Sequence, residues 1–343
     1  MSFNIKRMYF GIFVIFAVEF SINNNMIVSL ALLIAGIVMI IVGADKLTDG
    51  AAAIAARYGI SSLVIGLTVV AFGSSMPEFV ISFISSLKGS TEIAIGNVVG
   101  SNIFNILFIV GCTAAVFPIK VTNRTVYKDL PFAVMSSFVL FVVACDAFID
   151  DAQWNVITRS DGMLLICFFV VFMFYTLATA RSSEGASEEP VAPESIMPVW
   201  KSVLYVLLGL AGLIFGGDFF VDGACDVARF LGVSESVIAL TLVSGGTSLP
   251  ELAASLMAAR KRDSGMAIGN VIGSVVFNAF WILGASATVS QLPLGHITMF
   301  DLFTLLVASV VMWILARTGK IINRVEGGIM VLMYVGYIAY LLN

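Results

Sequence analysis

Ser74, Ser75 and Glu78 stand at i, i+1 and i+4, so on a helix both hydroxyls fall within one turn of the carboxylate. Pro77, between them and next to the glutamate, has no N–H to give the carbonyl four residues back. It should therefore leave the Gly73 carbonyl free and kink or split the helix around Gly73. A carboxylate, two hydroxyls and loosened carbonyls are hard oxygen donors, the set that Ca2+ and Na+ prefer over softer metals. The chain writes this set twice: Thr247, Ser248 and Glu251 lie beside Pro250, with the Gly246 carbonyl freed in the same way.

The doubling extends well beyond the motif. A shift of 173 positions lays residues 43–111 on 216–284 without a gap, and 30 of the 69 positions are identical. The identities include Gly73/Gly246, Ser75/Ser248, Pro77/Pro250, Glu78/Glu251, the GNV of 96–98 and 269–271, the GS of 100–101 and 273–274, and the FN of 104–105 and 277–278. Ser101 with Asn105, and Ser274 with Asn278, are again i and i+4. Gly96 and Gly100, like Gly269 and Gly273, have the small-residue spacing that lets helices approach closely. Serines, threonines and asparagines often do no more than join helices by hydrogen bonds. The glutamates are harder to explain that way, since an ionisable group near a bilayer centre costs on the order of 3 kcal/mol.

A bilayer is what the composition requires. The 343 residues are 59% hydrophobic and 12% charged, with mean hydropathy +1.04, which leaves too little polar surface for a soluble fold. At about 20 apolar residues per crossing, ten crossings are predicted: 25–44, 61–86, 93–117, 130–149, 162–180, 200–217, 235–258, 266–290, 298–316 and 326–342. The expected fold is an all-helical integral membrane protein. Lys6 and Arg7 precede a short apolar run, so residues 1–24 read as a signal-like segment or an extra N-terminal helix. If the first of the ten crossings runs inward, the inner loops hold 13 of the 18 basic residues. The outer loops hold Lys88, Arg159 and Arg229.

Residues 181–199, with four glutamates among three prolines, form the one extended polar stretch and read as an acidic cytoplasmic linker. It separates two units, 25–180 and 200–343, of five crossings each. Because five is odd, the second unit enters the membrane from the opposite face, which makes an inverted-topology repeat. Such repeats bring their shared polar motifs face to face near the midplane, the architecture of a secondary transporter. No GxxxxGK[ST] loop points to ATP, and no long basic run points to nucleic acid. The four cysteines lack CxxC spacing and read as packing residues. No catalytic residue and no cofactor is expected; the partners are transported ions and membrane lipid, and a monomer is the expected unit.

The paired G-[ST]-S-x-P-E and G-N-V-x-G-S-x-x-F-N blocks resemble the two alpha-repeats of the Ca2+/cation antiporter superfamily, most closely its prokaryotic Na+/Ca2+ exchanger branch. That resemblance implies a ten-helix exchanger in the plasma membrane, with crossings 2, 3, 7 and 8 forming the ion sites and crossings 1 and 6 sliding across them. It implies Glu78 and Glu251 as central ligands of both ions, with Ser74 and Thr247 helping to hold Ca2+. Ser75 with Ser101, and Ser248 with Ser274, would belong to flanking Na+ sites. Asn105 would lie at the centre with Asn278, and the carbonyls of Ala71 and Ser244 would complete the shells. Two positions depart from the pattern: Asn278 stands where some members carry aspartate, which speaks against K+ co-transport, and Val275 replaces the asparagine that Asn102 retains.

Electrogenic Na+/Ca2+ antiport is the function these residues favour. H+/Ca2+ antiport is the near rival, because buried glutamates can titrate. A cation channel would use the same acids to line a pore. An intramembrane hydrolase has only the Gly217-Asp218 pair in its favour. Asp45 and Asp49, matched by Asp218 and Asp222, read as solvated helix-end carboxylates or as cation attractors at the entrances, and His296 is given no role.

Overall fold

The computed structural model describes residues 2–149, 153–180, 197–232 and 244–341; of residues 2–25 and 244 it describes the helical backbone alone. Linker residues 181–196 and residues 233–243, which include the first part of the seventh predicted crossing, lie outside the described residues.

The described chain is helical, with helices α1 (Ser2–Tyr58), α2 (Ser62–Ser74), α3 (Met76–Leu87), α4 (Thr91–Val116), α5 (Thr125–Val143), α6 (Arg159–Ala178), α7 (Val199–Phe230), α8 (Ser244–Gly246), α9 (Leu249–Arg260), α10 (Ser264–Val289), α11 (Met299–Arg317) and α12 (Arg324–Leu341). Eight of these are long and apolar enough to span a bilayer, and the bent pair α2–α3 makes a ninth among the described residues. The remaining predicted crossing, 235–258, is seen from α8 onward. Two antiparallel ladders tie loops together: β1 (Ile119–Lys120) with β4 (Ile321–Ile322), and β2 (Val156–Ile157) with β3 (Leu292–Pro293).

The helices that open the two repeats, α1 and α7, outrun their predicted crossings. Alanine-rich residues 51–56 propagate α1 past position 44, and Gly59, at φ 62°, ends it in the left-handed conformation that suits a glycine. Gly232, at φ 80°, follows the end of α7 in the same way. These two helices pack antiparallel along a seam of glycines spaced by seven. Gly36, Gly43 and Gly50 face Gly216, Gly209 and Ser202 so closely that a Cβ on Gly43 would stand 2.8 Å from the Gly209 carbonyl. Antiparallel pairing of the helices that open each repeat is what inverted copies produce.

The interior belongs to α4 and α10. Of their apolar windows 72% and 94% are buried, against 22% and 28% for α1 and α7, whose outward Ile27, Ile34, Val38, Ile41 and Leu207 present an apolar face suited to lipid. Close backbone approach brings α10 onto α2: a Cβ on Gly269 would stand 2.5 Å from the Leu63 carbonyl, and one on Gly273 2.6 Å from that of Leu67. Gly96, by contrast, has only Ile297 nearby, at 3.8 Å.

Both PE helices break, though not where the sequence suggests. The axis bends by 49° between α2 and α3, and the residue out of helical geometry is Ser75 (φ −84°, ψ 11°) rather than Gly73. Ser248 (φ −93°, ψ 10°) does the same before α9. A proline is well tolerated in the first turn of a helix, where its missing N–H has no partner to lose. The break therefore falls just ahead of Pro77 and Pro250. Gly73 and Gly246 have another purpose, since a Cβ on either would collide with Leu210 or Val221 of α7.

Candidate ion-binding site

Each break starts a new helix with a glutamate in its first turn. Glu78 and Glu251 are fully buried there, at the end of the helix where unpaired N–H groups favour negative charge. The two half-sites then hold one another. Ser248 Oγ donates to Glu78 Oε1 at 2.9 Å, and Ser75 Oγ donates to Glu251 Oε1 at 2.7 Å. Ser74 Oγ, beside Ser75, lies 3.3 Å from Asn270 Oδ1 and 3.4 Å from the Ala71 carbonyl, and Thr247 stands in the same place beside Ser248. The two serine–glutamate bonds cross between residues 170 and 176 positions apart, so the serines at the two breaks join the repeats as well as lining the site.

What these bonds leave unsatisfied on the broken helices, α4 and α10 defines the site's chemistry. Among the described residues, Glu78 Oε2, Glu251 Oε2, Ser101 Oγ, Ser274 Oγ, Asn105 Oδ1 and Asn278 Oδ1 are buried and have no hydrogen-bond partner. They come one from each member of three image pairs. Buried polar atoms are nearly always satisfied, and leaving one bare costs free energy. Six bare oxygens on four helical segments, two of them carboxylate, suit a hard cation and offer nothing to a soft one.

A wide turn delivers the asparagines. Phe104–Ile109 and Phe277–Ile282 are π-helical, a local widening common at functional sites, and each contains its asparagine at the second position. The two are not equivalent. Asn278 Nδ2 donates to Asn102 Oδ1 at 3.1 Å, and Asn102 Nδ2 donates to the Val275 carbonyl at 3.2 Å. Asn105 has neither amide atom paired. The loss of an asparagine at 275 is thus answered by Asn102 reaching across to the backbone there.

Of the expected residues, Glu78, Glu251, Ser74, Ser75, Ser248, Ser101, Asn105, Ser274 and Asn278 are all at most 1% exposed, and Thr247 is half-buried. The Ala71 carbonyl accepts from Ser75 N at 3.0 Å and from Ser74 Oγ at 3.4 Å. Ser244 opens α8 as helical backbone.

Behind these residues lies a supporting layer that the motif spacing does not single out. Asn97 Nδ2 donates to the Glu78 carbonyl (3.2 Å) and to Ser82 Oγ (2.9 Å); its image Asn270 donates to the Glu251 carbonyl (3.1 Å) and to Ser255 Oγ (2.9 Å), and accepts from Ser74 Oγ (3.3 Å). Each asparagine thereby pins the first turn that carries the glutamate. The signal is present in the repeat, where Asn97/Asn270 and Ser82/Ser255 are identical pairs.

A helical inverted repeat whose two copies share buried, oxygen-rich motifs is the class of membrane exchangers. The chain belongs to the sodium/calcium exchanger protein family, which matches residues 28–178 and 201–343. It is 34% identical over 326 residues to the putative antiporter CaxA of Alkalimonas amylolytica, covering 91% of this chain and 98% of that one. It is 30% identical over 344 residues to the sodium/calcium exchanger MaX1 of Methanosarcina acetivorans, with coverage of 92% and 98%. A solved structure of the sodium-calcium exchanger NCX_Mj superposes with a TM-score of 0.78 at 30% identity, over 92% of this chain and 99% of that one.

Proposed function

We propose that the chain is a secondary antiporter of the plasma membrane that exchanges Na+ for Ca2+ by alternating access, with Glu78 and Glu251 as central ligands shared by both ions. The carrying observation is the set of six bare buried oxygens, two from carboxylates, borne by the half-helices that follow the two breaks and by α4 and α10 packed against them. Two negative charges suit one divalent cation or two monovalent ones, and competition for one site is the simplest coupling of Ca2+ to Na+. Ser74 and Thr247 would assist Ca2+, and Ser75/Ser101 and Ser248/Ser274 would serve flanking Na+ sites around Asn105 and Asn278. The carbonyls of Ala71 and Ser244 would close the shells. MaX1 and NCX_Mj bear the name sodium/calcium exchanger, and NCX_Mj was soaked with Na+, Ca2+ and Sr2+, which supports the same ions here. The basic-residue count supports a cytoplasmic linker at 181–199 between repeats 25–180 and 200–343.

Membrane vesicles loaded with Na+ and diluted into Na+-free medium should accumulate 45Ca2+. Glu78→Gln and Glu251→Gln should each lower that uptake by about 100-fold, the usual scale for removing one charge from a buried ionic set. Unchanged uptake in either variant overturns the site. Uptake driven only by a pH gradient makes H+ the coupling ion, and single-channel currents overturn alternating access.

A further inference from the structure

Asp45/Asp49 and Asp218/Asp222 are images at the 173-residue offset, and so are Lys261 and Lys88. Each lysine immediately follows a glutamate-bearing half-helix: Lys88 follows α3, and Lys261 follows α9. Yet the two sets differ in the structure. Lys261 Nζ lies 2.7 Å from Asp45 Oδ1 and 2.7 Å from Asp49 Oδ1, and donates to Thr48 Oγ1 and the Asp45 carbonyl at 2.9 Å. It ties α9 to α1. Lys88, Asp218 and Asp222 are exposed, and none of their side chains has an ion pair or hydrogen bond among the described residues.

The seam between α1 and α7 is itself symmetric: Gly36 faces Gly216 and Phe220, and its image Gly209 faces Gly43 and Leu47. The pair's seat on the core is not. Gly246 faces Val221, the image of Thr48, so a symmetric seat would put Thr48 against Gly73; Leu210 stands there instead. The α1–α7 pair is therefore displaced as a unit along the two broken helices, with the charged ends engaged on one face only.

We infer that the two charged sets are alternating clasps, Lys261 on Asp45 and Asp49 holding one face shut and Lys88 on Asp218 and Asp222 holding the other. When the α1–α7 pair moves to its symmetry-related seat, Lys261 releases and Lys88 engages. This rests on the alternating-access reading above. Partly exposed ion pairs are weak, which suits contacts broken in every cycle, and the compact, flexible ammonium of lysine releases without losing a bidentate fit. The clasps are unequal, because Thr48 gives Lys261 a hydroxyl where its image Val221 gives Lys88 none. That difference favours the arrangement seen.

The test uses the full chain in membranes, with Cys112, Cys145, Cys167 and Cys225 replaced. Asp45→Cys/Lys261→Cys reports one clasp and Asp222→Cys/Lys88→Cys the other, each read as the yield of cross-linking by a short bis-maleimide. Both pairs should cross-link. Adding Lys261→Gln or Thr48→Val should raise the Lys88/Asp222 yield by roughly two- to fivefold, and Lys88→Gln should raise the Asp45/Lys261 yield similarly. A Lys88/Asp222 pair that never cross-links, or yields that do not move reciprocally, overturns the inference. The readout does not depend on which ion is carried. Reciprocal yields without Na+-driven 45Ca2+ uptake would sink the antiport reading alone, and intact uptake without reciprocity would sink the clasps alone.

Discussion

At the site, the decisive chemistry is a division of labour within each carboxylate. One oxygen of Glu78 is held by Ser248 and one oxygen of Glu251 by Ser75, which orients both groups and leaves the second oxygen of each without a hydrogen-bond partner. Orientation of the carrying turn depends on Asn97 and Asn270. Asn270→Ala would remove the side-chain donor to the Glu251 carbonyl and to Ser255 Oγ, which keeps its bond to the Ala267 carbonyl, and each buried hydrogen bond lost costs about 0.5–1.5 kcal/mol. The expected result is an apparent Ca2+ affinity weakened by roughly tenfold with little loss of folded protein. Asn270→Asp should not rescue it, because an ionised carboxylate accepts but cannot donate to the Glu251 carbonyl. The Ca2+ concentration that half-saturates Na+-driven uptake, compared across the two variants and the wild type, checks this.

At the scale of the helix, the governing feature is the glycine ladder between α1 and α7. Backbone-to-backbone approach at Gly36, Gly43 and Gly50 leaves no room for a side chain. Gly43→Val should therefore destabilise the detergent-solubilised protein by about 1–3 kcal/mol, the cost of overpacking a closed interface. Gly328→Ala in α12, where nothing lies within 4 Å of the added carbon, should be neutral or slightly stabilising. A fluorescence thermal melt of the two variants beside the wild type discriminates, and equal loss in both would mean that the ladder does not set stability.

On the scale of the whole molecule, the proposed alternating access and a seam this tight predict that α1 and α7 move as one body against the broken helices with α4 and α10. Ser29 Oγ donates to Asp226 Oδ2 at 2.9 Å across the seam. Joining Ser29→Cys to Asp226→Cys by a disulfide should leave Na+-driven 45Ca2+ uptake close to that of the unlinked variant. If linking the pair halts uptake, and reduction restores it, the two helices move against one another instead.

The repeat made much of this legible in advance. The crossings, their inversion, a break in each PE helix and the image pairs at 75/248, 78/251, 101/274 and 105/278 follow from apolar run lengths, an odd count, the prolines and a gapless 173-residue offset, though the break falls at Ser75 and Ser248 rather than around Gly73. Those are local or one-dimensional properties, and they survive without coordinates. Three-dimensional packing decided the rest. That Ser75 serves Glu251 rather than its own neighbour Glu78 depends on how two distant half-helices meet. That α1 pairs antiparallel with α7 depends on glycines whose value appears only when the opposing backbone is in place. Least readable of all was the fate of the aspartates: Asp45 and Asp218 occupy equivalent places in the repeat, yet one grips a lysine and the other stands exposed. Sequence symmetry makes the two copies interchangeable, and only the tertiary arrangement chooses which is engaged.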